Sequence, residues 1–157
     1  MKTSSVSEIK QELLNTPQKQ LTELCLQLAK YKKENKELLT YLLFESHDLE
    51  AYIKNVKADI DEQFENINKN NLYFAKKSLR KILRVTSKYI RHTGSKQAEA
   101  ELLIYFCNAL KNSGIAIRKS TALTNLYNQQ IKKIHKSIET MHEDLQHDYL
   151  REIQNLE

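Results

Sequence analysis

Six basic residues on one predicted helix are the side chains whose types and spacing most clearly indicate a binding chemistry. The segment at about 71–92 has helical periodicity, and no carboxylate interrupts its basic positions. At about 100° per residue, these cations fall on one face, opposite an arc that includes Leu79 and Ile82. Several cations on one face can neutralise several phosphates and release their counterions. The predicted polyanion-binding residues are Lys77, Arg80, Lys81, Arg84, Lys88 and Arg91.

Two interpretations of this basic face stay open. Residues 71–136 contain 14 Lys/Arg against 2 Asp/Glu, a net charge of +12, whereas the segments before and after carry net charges of −2 and −5. Carboxylates on neighbouring helices can neutralise the cations within the fold, which leaves an ordinary solvated surface. Alternatively, a nucleic acid supplies the negative charge, and Tyr73 stacks on a base. Further cations that would extend such a face are Arg118, Lys119, Lys132, Lys133 and Lys136.

The spacing of Glu139 and His142 is that of the E-x-x-H motif in helical di-metal proteins. On a helix it places a carboxylate and an imidazole one turn apart, within reach of one ion. Such a site also needs a second E-x-x-H on a facing helix, and the chain has none. There is no Gly-rich phosphate loop and no nucleophile in a recognisable catalytic turn. The sequence therefore predicts a non-catalytic protein without a metal or other cofactor.

The two cysteines, Cys25 and Cys107, both lie among apolar residues. We expect them to be buried thiols in a reducing compartment. There is no run of about 18 uncharged apolar residues, and the charged N-terminus is unlike a secretory signal. These features predict a cytoplasmic protein that does not enter a membrane.

The elements that carry these residues are predicted to be helices throughout. Two glycines and one proline in 157 residues are too few for the turns of a sheet protein. We expect a single all-α domain over 1–157, an irregular bundle of about six or seven helices with a long C-terminal helix. A short HEAT-like stack of helix pairs is the alternative. Predicted boundaries are a start at Ser5, a turn at 32–35, starts at 46–48 and 71, stops at Gly94 and Gly114, and an unbroken helix from about Ser120.

Two predicted helices carry specific expectations about burial. The helix with Leu38, Leu39 and residues 41–44 is apolar nearly all round, which predicts the most buried element of the fold. The C-terminal helix has a narrow apolar seam with about two positions in seven, typical of helix pairing. That seam predicts a protein partner or self-association, or else packing along the chain's own bundle. Its residues are Ile131, Ile134, Ile138, Met141 and Leu145.

The stretch from Ile9 to Glu45 resembles the start of a bacterial family of uncharacterised all-helical proteins. The residues that carry the resemblance are Leu13-Leu14, Gln20-Leu21, Glu23-Leu24, Leu28, Tyr31-Lys32-Lys33, Lys36-Glu37-Leu38 and Tyr41-Leu42, followed more loosely by Phe74-Ala75-Lys76-Lys77 and Arg80. The resemblance implies a helical fold, and it carries over no site because that family has no assigned activity.

Two functions are compatible with these patterns. The first is a non-catalytic cytoplasmic interaction or scaffold protein, indicated by the C-terminal seam and by the lack of catalytic motifs. The second is nonspecific nucleic-acid binding through the basic face at about 71–92.

Overall fold

Side-chain caps determine where most helices begin. The Ser5 hydroxyl accepts a hydrogen bond from the Glu8 N–H, and the Glu8 carboxylate accepts one from the Ser5 N–H, which completes a capping box. Asp48 and Ser95 cap later helices through hydrogen bonds from the backbone N–H three residues on. Gly94 has a φ of 60°, in the left-handed region that glycine adopts without steric cost, and it ends the helix before it.

A computed structural model describes all 157 residues of the chain. Helices account for 79% of the residues and there is no strand, so the predicted all-α irregular bundle is confirmed, with eight α-helices instead of about six or seven. Each helix is too short or too polar to cross a lipid bilayer. The eight α-helices are α1 (Val6–Leu14), α2 (Gln18–Tyr31), α3 (Lys33–Thr40), α4 (Leu49–Glu65), α5 (Leu72–Thr93), α6 (Lys96–Asn112), α7 (Thr121–Ile138) and α8 (Glu143–Ile153), with a π-helical turn at Tyr41–Glu45 and a 3₁₀ turn at Ile117–Lys119.

The chain divides into two compact units, Met1–Glu45 and Ser46–Glu157. The N-terminal unit contains α1 to α3 and the π-helical turn, and the C-terminal unit contains α4 to α8. The single domain over 1–157 stays a prediction.

Helix α6 forms the centre of the C-terminal unit, and α4, α5, α7 and α8 all pack on it. Its buried residues are distributed around the helix, as expected for an element surrounded by others. They are Ala98, Ala100, Leu102, Leu103, Ile104, Phe106, Cys107 and Leu110, each no more than 5% exposed. The other helices therefore each have one face toward α6 and one toward solvent.

The prediction of an unbroken helix from Ser120 is wrong. Helix α7 does begin directly after Ser120, which is its N-cap. However, α7 ends at Ile138, and α8 begins at Glu143. His142 occupies the N-cap position of α8, and its Nδ1 accepts a hydrogen bond from the Asp144 N–H at 3.3 Å. No glycine or proline marks this break.

The prediction that the helix around Leu38 is the most buried element is also wrong. Helices α1, α2 and α3 have no buried residue. In the π-helical turn, Tyr41 is buried, but Leu43 and Phe44 are 63% and 68% exposed. Residues 1–45 are too few to surround a helix that is apolar on all sides, so most of its side chains stay at the surface.

Candidate nucleic-acid interface

Helix α5 is held as a continuous 22-residue helix by a cap at each end and by one buried face. The Asn71 Oδ1 accepts hydrogen bonds from the N–H groups of Tyr73 and Phe74 at 3.0 and 3.2 Å. At the other end, Gly94 stops the helix. The buried face packs on α4 and α6 and consists of Ala75, Leu79, Ile82, Thr86 and Ile90. The face predicted to be basic therefore points directly away from the core.

The structure leaves five of the six predicted cations at the surface without an ion-pair partner. No carboxylate lies within 4.0 Å of them, the distance limit for an ion pair. The sixth, Lys88, is half-buried, and its Nζ lies 5.4 Å from the centroid of the Tyr89 ring. We call the five exposed cations the α5 basic face; they are Lys77, Arg80, Lys81, Arg84 and Arg91.

The exposed carboxylates of the neighbouring helix α4, which are Asp59, Asp61, Glu62 and Glu65, form no ion pair with this face. On α4, Asp61 accepts a hydrogen bond from the Tyr105 hydroxyl of α6 at 2.6 Å. That bond, together with partial burial and the charge of Asp61, raises the pKa of Tyr105 to about 12. Lys57 of α4 pairs with Glu101 of α6 at 2.5 Å. The polar contacts of α4 are therefore directed to α6, and direct pairing within the fold does not neutralise the α5 basic face.

The α5 basic face has the length of several nucleotides. With a rise of 1.5 Å per residue, the 14 steps from Lys77 to Arg91 cover about 21 Å. One strand of a duplex advances about 3.4 Å per nucleotide, so this length corresponds to about six base pairs. Five cations over six base pairs can each contact a separate phosphate.

Two exposed aromatic side chains stand at the start of α5. Tyr73 and Phe74 are 65% and 51% exposed, and their ring centroids are 5.4 Å apart in an edge-to-face arrangement. The Lys76 Nζ lies 5.8 Å from the Tyr73 ring centroid. Sequence reasoning identified Tyr73 but missed Phe74. The sequence does contain a signal for Phe74, because it directly follows Tyr73 and precedes the first basic turn of the helix. An exposed ring next to a cation is a typical platform for stacking a base.

The cations predicted to extend the face lie on other elements. Arg118 and Lys119 belong to the 3₁₀ turn, and Lys132, Lys133 and Lys136 belong to α7; all are exposed. Helix α7 packs chiefly on α6, and the charge of Lys133 acts on Glu99 of that helix. The structure does not join these residues to the α5 basic face.

The predicted C-terminal seam is used largely by the fold itself. Ile134 and Ile138 are 0% and 2% exposed in α7, which packs on α6. Ile131 and Met141 are half-buried, and Leu145 lies on α8, 37% exposed. Because α7 and α8 are separate helices, the five residues do not form one continuous stripe. A partner helix could reach Ile134 and Ile138 only if α7 left α6.

The E-x-x-H motif does not have the geometry that its spacing predicts. Glu139 is the C-cap of α7 and His142 is the N-cap of α8, so no helical turn connects them. The His142 Nδ1 lies 3.6 Å from Asp144 Oδ2 instead. No group of three or more His, Cys, Asp or Glu side chains is arranged to hold a metal ion.

The two cysteines differ from one another. Cys107 is fully buried in α6 as predicted, and burial raises the pKa of its thiol to about 12. The prediction of burial is wrong for Cys25, which is exposed. It lies on α2 in the N-terminal unit, where too few residues are present to cover it.

Sequence reasoning also missed an exposed apolar surface in the N-terminal unit. One groove of about 290 Å³ lies between α1 and α2, and one of about 200 Å³ lies between α2 and α3. A stripe of leucines on α2 connects them. We call this the N-terminal apolar surface and define it by Ile9, Leu13, Leu21, Leu24, Leu28 and Leu38. Its exposure could not be predicted from the residue pattern, because apolar stripes of this kind usually pack in a core.

Comparisons of the chain with protein-family models, with curated proteins and with solved structures gave no match.

Proposed function

We propose that this protein binds nucleic acid without sequence specificity through the α5 basic face. The observation that supports the proposal is the set of five exposed cations that no carboxylate of the fold pairs. Like charges three or four residues apart on a helix repel one another by about 0.2–0.5 kcal/mol per pair. A phosphate backbone relieves that repulsion and releases its own counterions, so binding is favourable at low salt.

The exposed rings favour single strands over duplexes of equal length. In a single strand the bases are accessible, and Tyr73 or Phe74 can stack on one of them at the end of the basic row. In a duplex the bases are already stacked on each other. The phosphates provide most of the affinity in both cases.

Fluorescence anisotropy with a labelled 20-nucleotide strand and its duplex tests this function. We expect binding at about 50 mM salt that weakens steeply by 200 mM, as phosphate contacts require. The variant Arg80→Glu with Arg84→Glu should abolish binding. The matched control, Lys19→Glu with Lys54→Glu, makes the same change in net charge at exposed positions on α2 and α4 and should retain it. Absence of binding at 50 mM salt, or equal loss in both double variants, would refute the proposal.

A second candidate is a non-catalytic protein-interaction function, and the N-terminal apolar surface favours it. Leu28 and Leu38 are 61% and 39% exposed in a groove made almost entirely of apolar side chains. Exposed apolar patches of this kind usually mark a site of association. We place both candidate functions in the cytoplasm, since the two cysteines do not pair with each other and disulfides are rare in reducing compartments.

A further inference from the structure

The N-terminal unit leaves most of its apolar side chains uncovered. Of residues 1–45, only Tyr41 is buried. Helix α3 folds back on α2 after an extended residue, Lys32, so that Leu28 and Leu38 line one groove from opposite sides of the bend. A unit of about 45 residues cannot enclose a core without outside help, and association with another chain is one common solution.

Helix α2 has the residue spacing of a helix that pairs with another helix. Leu21, Leu24, Leu28 and Tyr31 are separated by three, four and three positions, as at the a and d positions of a coiled coil. The positions that flank this stripe on the helical wheel are uncharged: Gln20 and Gln27 on one side, Gln18 and Cys25 on the other. A second helix can therefore cover the stripe without burying a charge.

The uncovered area is the size that a stable dimer needs. The two grooves are lined by seven large apolar side chains that are each between 39% and 85% exposed: Val6, Ile9, Leu13, Leu14, Leu28, Leu38 and Leu42. An unfolded chain exposes about 1.45 Å² per dalton, or roughly 160 Å² for a leucine, so these seven offer on the order of 600 Å². A standard interface buries about 800 Å² per partner, of which somewhat more than half is apolar. One chain thus presents about the apolar area of one side of an interface.

Charge favours a second copy of the chain as the occupant. Residues 1–45 contain 7 Lys and 6 Glu, a net charge of +1, so two such units repel each other very little. Residues 71–136, with a net charge of +12, would repel their counterpart. The N-terminal unit is therefore the part of the chain best suited to self-association.

We propose that the N-terminal apolar surface binds a second copy of this chain, with α2 packed against its counterpart. The contact is isologous: the same stripe of each copy faces the other, so that one closed dimer forms. This inference rests on the protein-interaction function proposed above and is independent of nucleic-acid binding.

Cys25 provides a built-in reporter for this contact. It flanks the leucine stripe on the wheel of α2, next to Leu21, and lines the groove with Leu28. It is exposed, whereas the other cysteine, Cys107, is 0% exposed. A thiol reagent such as DTNB should modify one thiol per chain in the monomer. In the dimer, Cys25 is covered and its reaction should slow at least tenfold. The concentration at which it slows should match the concentration at which the mass rises to twice 18.5 kDa.

Sedimentation velocity and DTNB kinetics from about 1 to 200 µM protein test the proposal, with Leu24→Lys as the disrupting variant. Leu150→Lys on α8 is its matched control, because Leu24 and Leu150 are both 41% exposed. We expect the wild type and Leu150→Lys to dimerise, and Leu24→Lys to stay monomeric with Cys25 reactive at every concentration. Leu28→Lys, at a position that is 61% exposed, should behave in the same way as Leu24→Lys. Agreement between the two variants would show that the effect does not come from misfolding of one of them.

Three results would overturn the inference. One is a monomer at 200 µM whose Cys25 stays reactive, which leaves the surface open for a different protein and the interaction function standing. Another is a monomer whose Cys25 is protected at all concentrations, since the chain itself would then cover the surface and the interaction function would fail with the dimer. The third is a dimer that survives both lysine substitutions, which assigns self-association to another face.

Discussion

Removing one cation from the α5 basic face should change the salt dependence of nucleic-acid binding by a calculable amount. For duplex DNA, the slope of log K against log salt concentration is about −0.9 per phosphate neutralised. If each of the five exposed cations contacts one phosphate, the wild-type slope is about −4.5. Raising the salt from 50 to 200 mM then weakens binding by about 500-fold. The variant Arg84→Gln has four contacts, a slope of about −3.6 and a loss of about 150-fold.

Anisotropy titrations of a labelled duplex at five salt concentrations measure this slope. Lys54→Gln is the matched control, because it removes one exposed charge from α4, away from the basic face. Its slope should stay at the wild-type value, while Arg80→Gln combined with Arg84→Gln should give about −2.7. The reasoning would be refuted if Lys54→Gln and Arg84→Gln reduced the slope equally, because binding would then depend on net charge and not on this face.

Three further predictions concern stability and are measured by urea unfolding. Tyr105→Phe should cost about 0.5–1 kcal/mol at pH 7, because the hydrogen bond to Asp61 is lost. The folded state raises the pKa of Tyr105 to about 12, so this bond stabilises fully below pH 10, and wild type should lose its advantage over the variant between pH 10 and 12. Burial raises the pKa of Glu99, but hydrogen bonds from Lys96 and Ser137 and nearby positive charge outweigh it, and the pKa is lowered overall. The advantage of wild type over Glu99→Gln, about 1 kcal/mol at pH 7, should therefore shrink as the pH falls below about 4.5; a constant difference would contradict this reasoning. Leu156→Ala should cost about 2 kcal/mol because this side chain is only 3% exposed, and an unchanged unfolding curve would show that the C-terminal segment is not docked.

Features that depend on neighbouring residues in the sequence could be predicted from it. Local residues determine three helix boundaries that the sequence predicted. Ser5 and Asp48 cap the helices that follow them by accepting hydrogen bonds from backbone N–H groups three positions on, and Gly94 ends α5 by adopting the left-handed conformation. The two faces of α5 were also predictable, since a helix of 22 residues repeats its pattern over six turns.

Features that depend on tertiary packing could not be predicted. The break after Ile138 lies in Glu139-Thr140-Met141-His142, all compatible with a helix, and the capping role of His142 depends on the chain turning there. Apolar patterning around Leu38 and Cys25 predicted burial, but burial requires covering residues that the N-terminal unit lacks. Whether the cations of α5 would be paired depended on the direction of the carboxylates of α4, which the sequence does not determine.

The two proposed surfaces predict one joint behaviour that neither predicts alone. A dimer through the N-terminal apolar surface carries two α5 basic faces, so a nucleic acid long enough to reach both binds the second face intramolecularly. Such linkage commonly strengthens binding by about 100-fold or more without any new contact. We therefore expect Leu24→Lys to weaken binding to a 60-base-pair duplex strongly while leaving binding to a duplex of about eight base pairs, barely longer than one face, unchanged. Leu150→Lys should affect neither, because both variants add one positive charge and only the first removes the dimer contact. If Leu24→Lys weakened both duplexes equally, the two surfaces would not act together, and the loss would have to arise within a single chain.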